Sequence, residues 1–178
     1  KVSSLSVLQL DAHADMRDSY MGSPYNHACV MRRIAELTSF VQLGLRSFSK
    51  EEAEFMKKKN FPFQTSNQII TEDKWKKIVE DNLSEKVYLT IDVDVLDPSI
   101  MPSVGTPEPG GIDWWKILEI LKYVAGCKKI VGVDVVEFCP LPGIVAPDFL
   151  VARLIYKTIG YIIYKNDLQR FSGPNKKR

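Results

Sequence analysis

Short, nearly continuous apolar runs, alternating with longer stretches of helical character, constrain this chain more than any other feature. Residues 5–10, 40–45, 87–91 and 130–136 are runs of strand length, rich in Leu, Val and Ile, and 68–70 reads as a further short strand. Between and after them, 27–37, 51–59, 71–82, 112–124 and 147–164 read as helices. Thr71 is the expected N-cap of one, with Glu72 and Asp73 in its first turn. Gly126 lies beyond the end of another, and Pro147 opens the last. Strands that are apolar throughout must be covered on both faces, which calls for a parallel sheet between two helical layers. The expected fold is therefore α/β, a three-layer αβα arrangement with a mainly parallel sheet.

The chain of 178 residues suits one domain with a substantial core, and its 45 % hydrophobic fraction is ordinary for a globular protein. A formal net charge of +2 gives no ground for nucleic acid or a membrane surface as partner. Lys176, Lys177 and Arg178 follow Gly173 and Pro174, so 166–178 reads as a solvated basic tail and 1–165 as the folded domain. Cys29, Cys127 and Cys139 are isolated, which suggests neither a disulfide framework nor a thiolate zinc site and makes a reducing cytoplasm the expected home. No apolar run reaches the roughly 18–20 residues needed to span a bilayer. A buried-looking strand begins almost at Lys1, with no signal-peptide pattern, and carries the expectation that an upstream part of the fold is missing.

In parallel sheets, ligands bind beyond the carboxyl ends of the strands. Leaving the first strand the chain reads Asp11-Ala12-His13-Ala14-Asp15, and leaving the run 87–91 it reads Asp92-Val93-Asp94-Val95-Leu96-Asp97-Pro98. Alternating acids in extended chain would share one face, and the alanines leave room for close approach. One acid at a strand end is usually a helix cap or a solvated loop residue. Two clusters at the ends of buried strands, one containing His, demand more. Asp11, Asp15, Asp92 and Asp94 cannot share a site fully ionised without a cation. Hard oxygens with one imidazole suit Mn²⁺ or Mg²⁺, the imidazole favouring manganese, and the number of carboxylates suggests two ions roughly 3.5 Å apart.

These two acidic segments resemble the signature motifs of the ureohydrolases, the arginase and agmatinase family. Gly105-Thr106-Pro107-Glu108-Pro109-Gly110-Gly111 is similar to a loop of the agmatinase branch, and Val133-Asp134-Val135-Val136-Glu137 to another family segment. The matches occur in the family's order over most of the chain. The resemblance implies an arginase/deacetylase-like fold, with 1–165 as the C-terminal portion of its catalytic domain. It implies that Asp11 and Asp92 bridge two manganese ions, that His13 and Asp94 complete one site and that Asp15 serves the other. The family has a further histidine ligand in a Gly-Gly-acid-His segment upstream. The histidines here are His13 and His27, and neither lies there, so the N-terminal part of the fold is expected to be missing.

Other residues take their expected roles from the same resemblance. His27, in Pro24-Tyr25-Asn26-His27, matches a proton-shuttle and substrate-contacting histidine, although a lone His at a helix start is otherwise most often a cap. Glu137 would grip the substrate guanidinium, whose planar donors fit a carboxylate bidentately. Asp134 would orient the site from behind. Arg17 and Arg46 read as charge partners of the acids, Trp114 and Trp115 as packing on the sheet, and the Pro- and Gly-rich loop 100–111 as the substrate entrance.

The implied reaction is hydrolysis of a guanidinium carbon–nitrogen bond by water activated between two manganese ions. Asp15 would orient the water and His27 would protonate the departing amine. Agmatine, yielding putrescine and urea, leads as substrate; arginine, aminopropylagmatine and guanidinobutyrate remain open. The rivals are a deacetylase-like zinc hydrolase and a non-catalytic split or fragment subunit. The resemblance also implies a homo-oligomer, trimer or hexamer.

Overall fold

The computed structural model describes residues 4–165. The basic tail expected at 166–178 lies outside them. In chain order, β1 (Leu5–Leu10) leads through a 3₁₀ turn (His27–Cys29) to α1 (Val30–Ile34), β2 (Ser39–Leu45), α2 (Lys50–Lys59), β3 (Phe63–Thr65) and α3 (Ser66–Thr71). Next come α4 (Trp75–Asn82), β4 (Lys86–Asp92), a second 3₁₀ turn (Val93–Val95), α5 (Trp114–Cys127), β5 (Lys129–Val136) and α6 (Ala146–Ile163). The strands form one sheet in the order β3-β2-β1-β4-β5, and every pairing is parallel. The chain thus builds outward from β1 in one direction and returns past it to add β4 and β5.

Two layers of apolar side chains hold the sheet. On one face Leu8, Leu10, Leu43, Leu89 and Ile91 pack with Trp75 and Val79 of α4, with Ile117, Ile120 and Leu121 of α5, and with Leu154 of α6. On the other, Val7 and Phe40 pack with Met31 of α1, Met56 of α2, Ala14 and Met16. Each fully buried Leu or Ile contributes about 1.5–3 kcal/mol, so the first and larger cluster carries most of the stability. The second face is covered by helices chiefly over β1 and β2.

The structure corrects several sequence boundaries. Residues 68–70 are not a strand but the middle of α3. Thr65 accepts from the Gln68 backbone N–H while the Gln68 side chain accepts from the Thr65 N–H, a reciprocal cap that starts a helix at Ser66. The strand is 63–65 instead, and Thr71 ends α3 rather than capping α4. The helix expected over 27–37 is a 3₁₀ turn followed by a five-residue α1, with turns at 35–37. α2 buries Glu52 and Met56 and leaves its charged face outward. α5 begins after the Asp113 cap and runs through Gly126, while Ile112 bridges Leu96. Trp114 packs on the core as expected, whereas Trp115 is 74 % exposed. No described helix is long and apolar enough to cross a membrane.

Among the described residues, the outer edge of β5 pairs with no strand. Val131, Val133 and Val136 on β5 are exposed, as are Phe149, Tyr156 and Ile163 on α6, at 69 %, 68 % and 66 %. An eight-residue strand edge beside uncovered aromatic and aliphatic side chains is a template for association. The 178-residue chain is therefore expected to self-associate with concentration. The double change Val133→Lys, Phe149→Lys should shift it toward monomer without loss of the helical circular-dichroism signal. Sedimentation velocity checks this, and a wild-type chain monomeric at every concentration would contradict it.

Candidate metal centre

The acids converge because β1 and β4 are adjacent, with Leu10 in register with Ile91, so the segments that follow each strand leave the sheet side by side. Extended alternation is not what gathers them. Asp92 closes β4, and its Oδ1 accepts the Asp94 N–H at 2.9 Å, turning the chain into the 3₁₀ turn that folds Asp94 back toward β1. Asp94 Oδ1 accepts the Ala12 N–H at 3.0 Å, tying the two segments together. Asp11 Oδ1 accepts the His13 N–H at 2.6 Å. Asp15 is directed inward by a left-handed backbone, φ 52°, a conformation that costs energy in a non-glycine residue. Its carbonyl is held by the Arg32 N–H at 3.1 Å.

His13 stands at the centre of the cluster. Its Nδ1 lies 2.8 Å from Asp94 Oδ2 and 3.6 Å from Asp11 Oδ1, and its Nε2 3.9 Å from Glu108 Oε1. One ligating atom from each of Asp11, His13 and Asp94 falls within a 4.8 Å sphere of mutual distances, as a shared cation requires. Behind them, the Gln9 amide nitrogen lies 2.6 Å from Asp11 Oδ2 and 3.3 Å from Asp15 Oδ2.

The electrostatics record crowding. Burial, reinforced by the charge of Asp94, pushes Asp11 up to about 7. Burial and the charge of Asp11 push Asp15 up to about 9, and burial with Asp11 and Asp94 pushes Asp92 up to about 10. Burial works to raise Asp94 too, but hydrogen bonds from His13 and the Ala12 N–H hold it below the usual carboxylate range. Hydrogen bonds to Asp11 and Asp94 carry His13 up to about 10. Among the described residues, His13 is the positive partner in ion-pair contact with these acids. Buried Asp11, Asp92 and Asp94, half-buried Asp15 and one imidazole thus lack the positive charge they need. Divalent cations would supply it, and hard oxygens with a single nitrogen form a suitable donor set.

Neither nearby arginine plays the part expected of it. The Arg46 guanidinium donates to the carbonyls of Glu108, Gly44 and Asp94 and to Ser66 Oγ, and burial lowers its pKa. It braces three loops through backbone oxygens rather than pairing with the acids. Arg17 lies over the Tyr20 ring, with Nε 3.9 Å from Glu52. Asp97 accepts from the N–H groups of Gly110 and Gly111 at 2.9 and 3.0 Å and so pins loop 100–111. A Cβ at Gly111 would meet the Asp97 nitrogen at 2.4 Å, which reserves that position for glycine.

A cavity of about 600 Å³ opens onto the acids. Its lining includes His13, Asp15, Asp92 and Asp94, and it also brings in His27, Glu137 and loop residues Gly105 and Thr106. His27 packs edge-on to Tyr20 with ring centroids 5.7 Å apart. Glu137 leaves β5 in the left-handed region, φ 62°. Asp134, expected to orient the acids, instead accepts from Tyr88 Oη at 2.8 Å and Thr90 Oγ1 at 2.6 Å. Four polar residues escaped the sequence reading: Gln9, Gln42, Glu52 and Glu108. A glutamine inside each of two apolar strand runs was the available signal, since buried amides require partners.

With this geometry in view, the comparisons with known proteins are direct. The model of the arginase family matches residues 1–160. The N(1)-aminopropylagmatine ureohydrolase of Synechocystis sp. is 40 % identical over 158 residues, covering 88 % of this chain and 52 % of that protein. The agmatinase of Pyrococcus horikoshii is 41 % identical over 133 residues, covering 74 % and 46 %. The crystal structure of the agmatine ureohydrolase of Thermoplasma volcanium superposes with a TM-score of 0.83 at 34 % identity, covering 92 % of this chain and 57 % of that one. The fold is that of this family's solved structures, and the chain belongs to the arginase family. It spans about half the length of the relatives it matches.

The raised pKa values fix a sign for pH dependence. Asp11, Asp15, Asp92 and His13 hold protons to higher pH folded than unfolded, so their contributions are complete below the unfolded values and fade as pH rises through the folded ones. Asp94 acts oppositely, losing its contribution only at acid pH. Protein stripped of divalent cations should therefore lose thermal stability steadily from about pH 5 to about pH 9, and saturating manganese should flatten or reverse that slope near neutrality. Melting curves across the range check this; stability that rises with pH in chelator would contradict it.

Proposed function

We propose that this chain carries the carboxylate-rich half of a binuclear manganese ureohydrolase that hydrolyses the guanidinium group of agmatine to putrescine and urea. One observation carries the reading: Asp15, Asp92, Asp94 and His13, at the ends of two central strands and beside buried Asp11, share a cavity with His27 and Glu137 in a chain of the arginase family. The names of the relatives make the aminopropyl derivative of agmatine the principal competitor as substrate.

The two ions, when bound, lower the pKa of water and offset the charge of the acids. The chain does the rest. Asp11 has one hydrogen bond on each oxygen, from the His13 N–H and from Gln9, so each oxygen keeps a lone pair with which it would hold the ions. Asp92 commits Oδ1 to the Asp94 N–H and would serve both ions, as the family resemblance implies. His13 and Asp94 would complete one site. Asp15 would serve the other and orient the attacking water. Glu137 would accept from the guanidinium N–H groups. Water would add to the guanidinium carbon and give its proton to Asp15, the bond to the alkyl-bearing nitrogen would break, and that nitrogen would take its proton from His27 as urea departs. The further histidine ligand implied by the family would come from the half of the fold that this chain does not span.

Manganese should raise the melting temperature of the chain, and Asp92→Ala should abolish both that rise and urea release from agmatine, assayed with the remaining half of the fold supplied by fusion or in trans. Urea formation by Asp92→Ala at the wild-type rate would overturn the binuclear assignment. In the same assay, His27→Ala should lower turnover by on the order of 10²–10³-fold while leaving manganese content intact, as loss of a general acid does. Manganese lost in that variant would make His27 a ligand instead.

A further inference from the structure

Gln9 on β1 and Gln42 on β2 face each other in register, 3 % and 0 % exposed, on the sheet face that leads up to the acids. The Gln42 amide nitrogen donates to Ala14 O at 2.8 Å and to Gln9 Oε1 at 2.6 Å. Gln9 Nε2 then donates to Asp11 Oδ2 and Asp15 Oδ2. The direction of this relay is set at its far end. A carbonyl accepts only a donor, so Ala14 O fixes the –NH₂ end of Gln42 inward. That end claims the Gln9 oxygen, and the Gln9 –NH₂ is left to point at the acids. Gln42 Oε1 remains buried without a hydrogen-bond partner. Folding tolerates an unmet acceptor there, as expected if the orientation itself is what matters.

We propose that Gln9, aimed by Gln42, is a positioning residue that sets the spacing of Asp11 and Asp15 and so governs uptake of the second of two divalent cations. One amide bonded to both carboxylates holds one oxygen of each at a common point and leaves Asp15 Oδ1 and the second lone pairs of Asp11 for metal. The acids joined by Gln9 are Asp11, which would serve both ions, and Asp15, which would serve only the second. Its loss therefore falls on the cation that needs both, whereas His13, Asp94 and Asp92 still define the first. Thr90, in register with Gln9 on β4, is bonded to Asp134 and not to the relay. It supplies a control at the same depth in the sheet.

This inference rests on the binuclear reading above, and the test separates the two. Manganese is titrated calorimetrically into the chain, with the remaining half of the fold supplied by fusion or in trans, and likewise into its Gln9→Met, Gln42→Met and double variants and Thr90→Val. Electron paramagnetic resonance distinguishes single from spin-coupled ions. Gln9→Met should leave the first ion unchanged and weaken the second by roughly 10–100-fold, the usual range for loss of a partner behind a metal ligand. Gln42→Met should act in the same direction but less, and should add nothing in the Gln9→Met background, because it acts through Gln9. Thr90→Val should change neither ion. If Gln9→Met does not fold, Gln42→Met alone carries the test. Unchanged second-ion affinity in Gln9→Met or, where that variant does not fold, in Gln42→Met overturns the proposal. So do strictly additive effects of the two glutamines, or an equal loss of both ions. A wild-type chain that takes up no manganese instead removes the metal-centre reading, and this proposal with it.

Discussion

Mutual repulsion among Asp11, Asp15, Asp92 and Asp94 is the constraint around which the rest of this molecule is arranged. Each acid sits at or just beyond the carboxyl end of a buried strand, and burial raises the energy of every negative charge. The protein meets that cost partly with backbone N–H groups, which occupy one oxygen each of Asp11, Asp92 and Asp94, while Gln9 and His13 reach the second oxygens of Asp11 and Asp94. It does not meet it with arginine. A guanidinium among the acids would neutralise them permanently and compete with any cation for the same oxygens. Arg46 is nearby, yet its donors are taken up by carbonyls.

That use of Arg46 explains why the loops around the centre hold one shape. A single planar donor group reaches the ends of β2, the turn after β4 and the segment 108–109. Asp97 fastens the same loop from the other side. Arg46 also feels the charge of Asp94 and Asp11, but it holds the loops through backbone oxygens rather than through the carboxylates. The polar row beneath, Gln42, Gln9, Thr90 and Asp134 in register across four strands, continues this arrangement into the sheet.

The layers, the parallel sheet and the acids themselves were legible in the sequence, because each rests on a local pattern: apolar runs of strand length, helical spacing between them, acids at run ends. What escaped depends on partners distant in sequence. Nothing near Arg46 announces that its donors will meet carbonyls 48 and 62 residues away. Asp15 reaches the cluster through a left-handed backbone, which periodicity does not encode. Asp134 carried a family pattern, but register on β4 placed Tyr88 and Thr90 against it. The misplaced third strand had a different origin, since the Thr65-to-Gln68 cap was visible and was outweighed by the apolar Ile69 and Ile70.

The position of β1 in the middle of the sheet has a kinetic consequence. Its neighbour β2 follows within one short helical connection, whereas β4 arrives only after β2, β3 and four helices have been laid down. The hydrogen bond between the Ala12 N–H and Asp94, which joins the two halves of the acid cluster, spans 82 residues. Closing so long a loop is entropically slow and belongs to the late part of folding. A cation that needs acids from both segments finds no site in the early ensemble and cannot speed the search. It acts after the barrier, by slowing escape from the native state, so that its influence falls on the lifetime of the folded molecule rather than on the rate of reaching it.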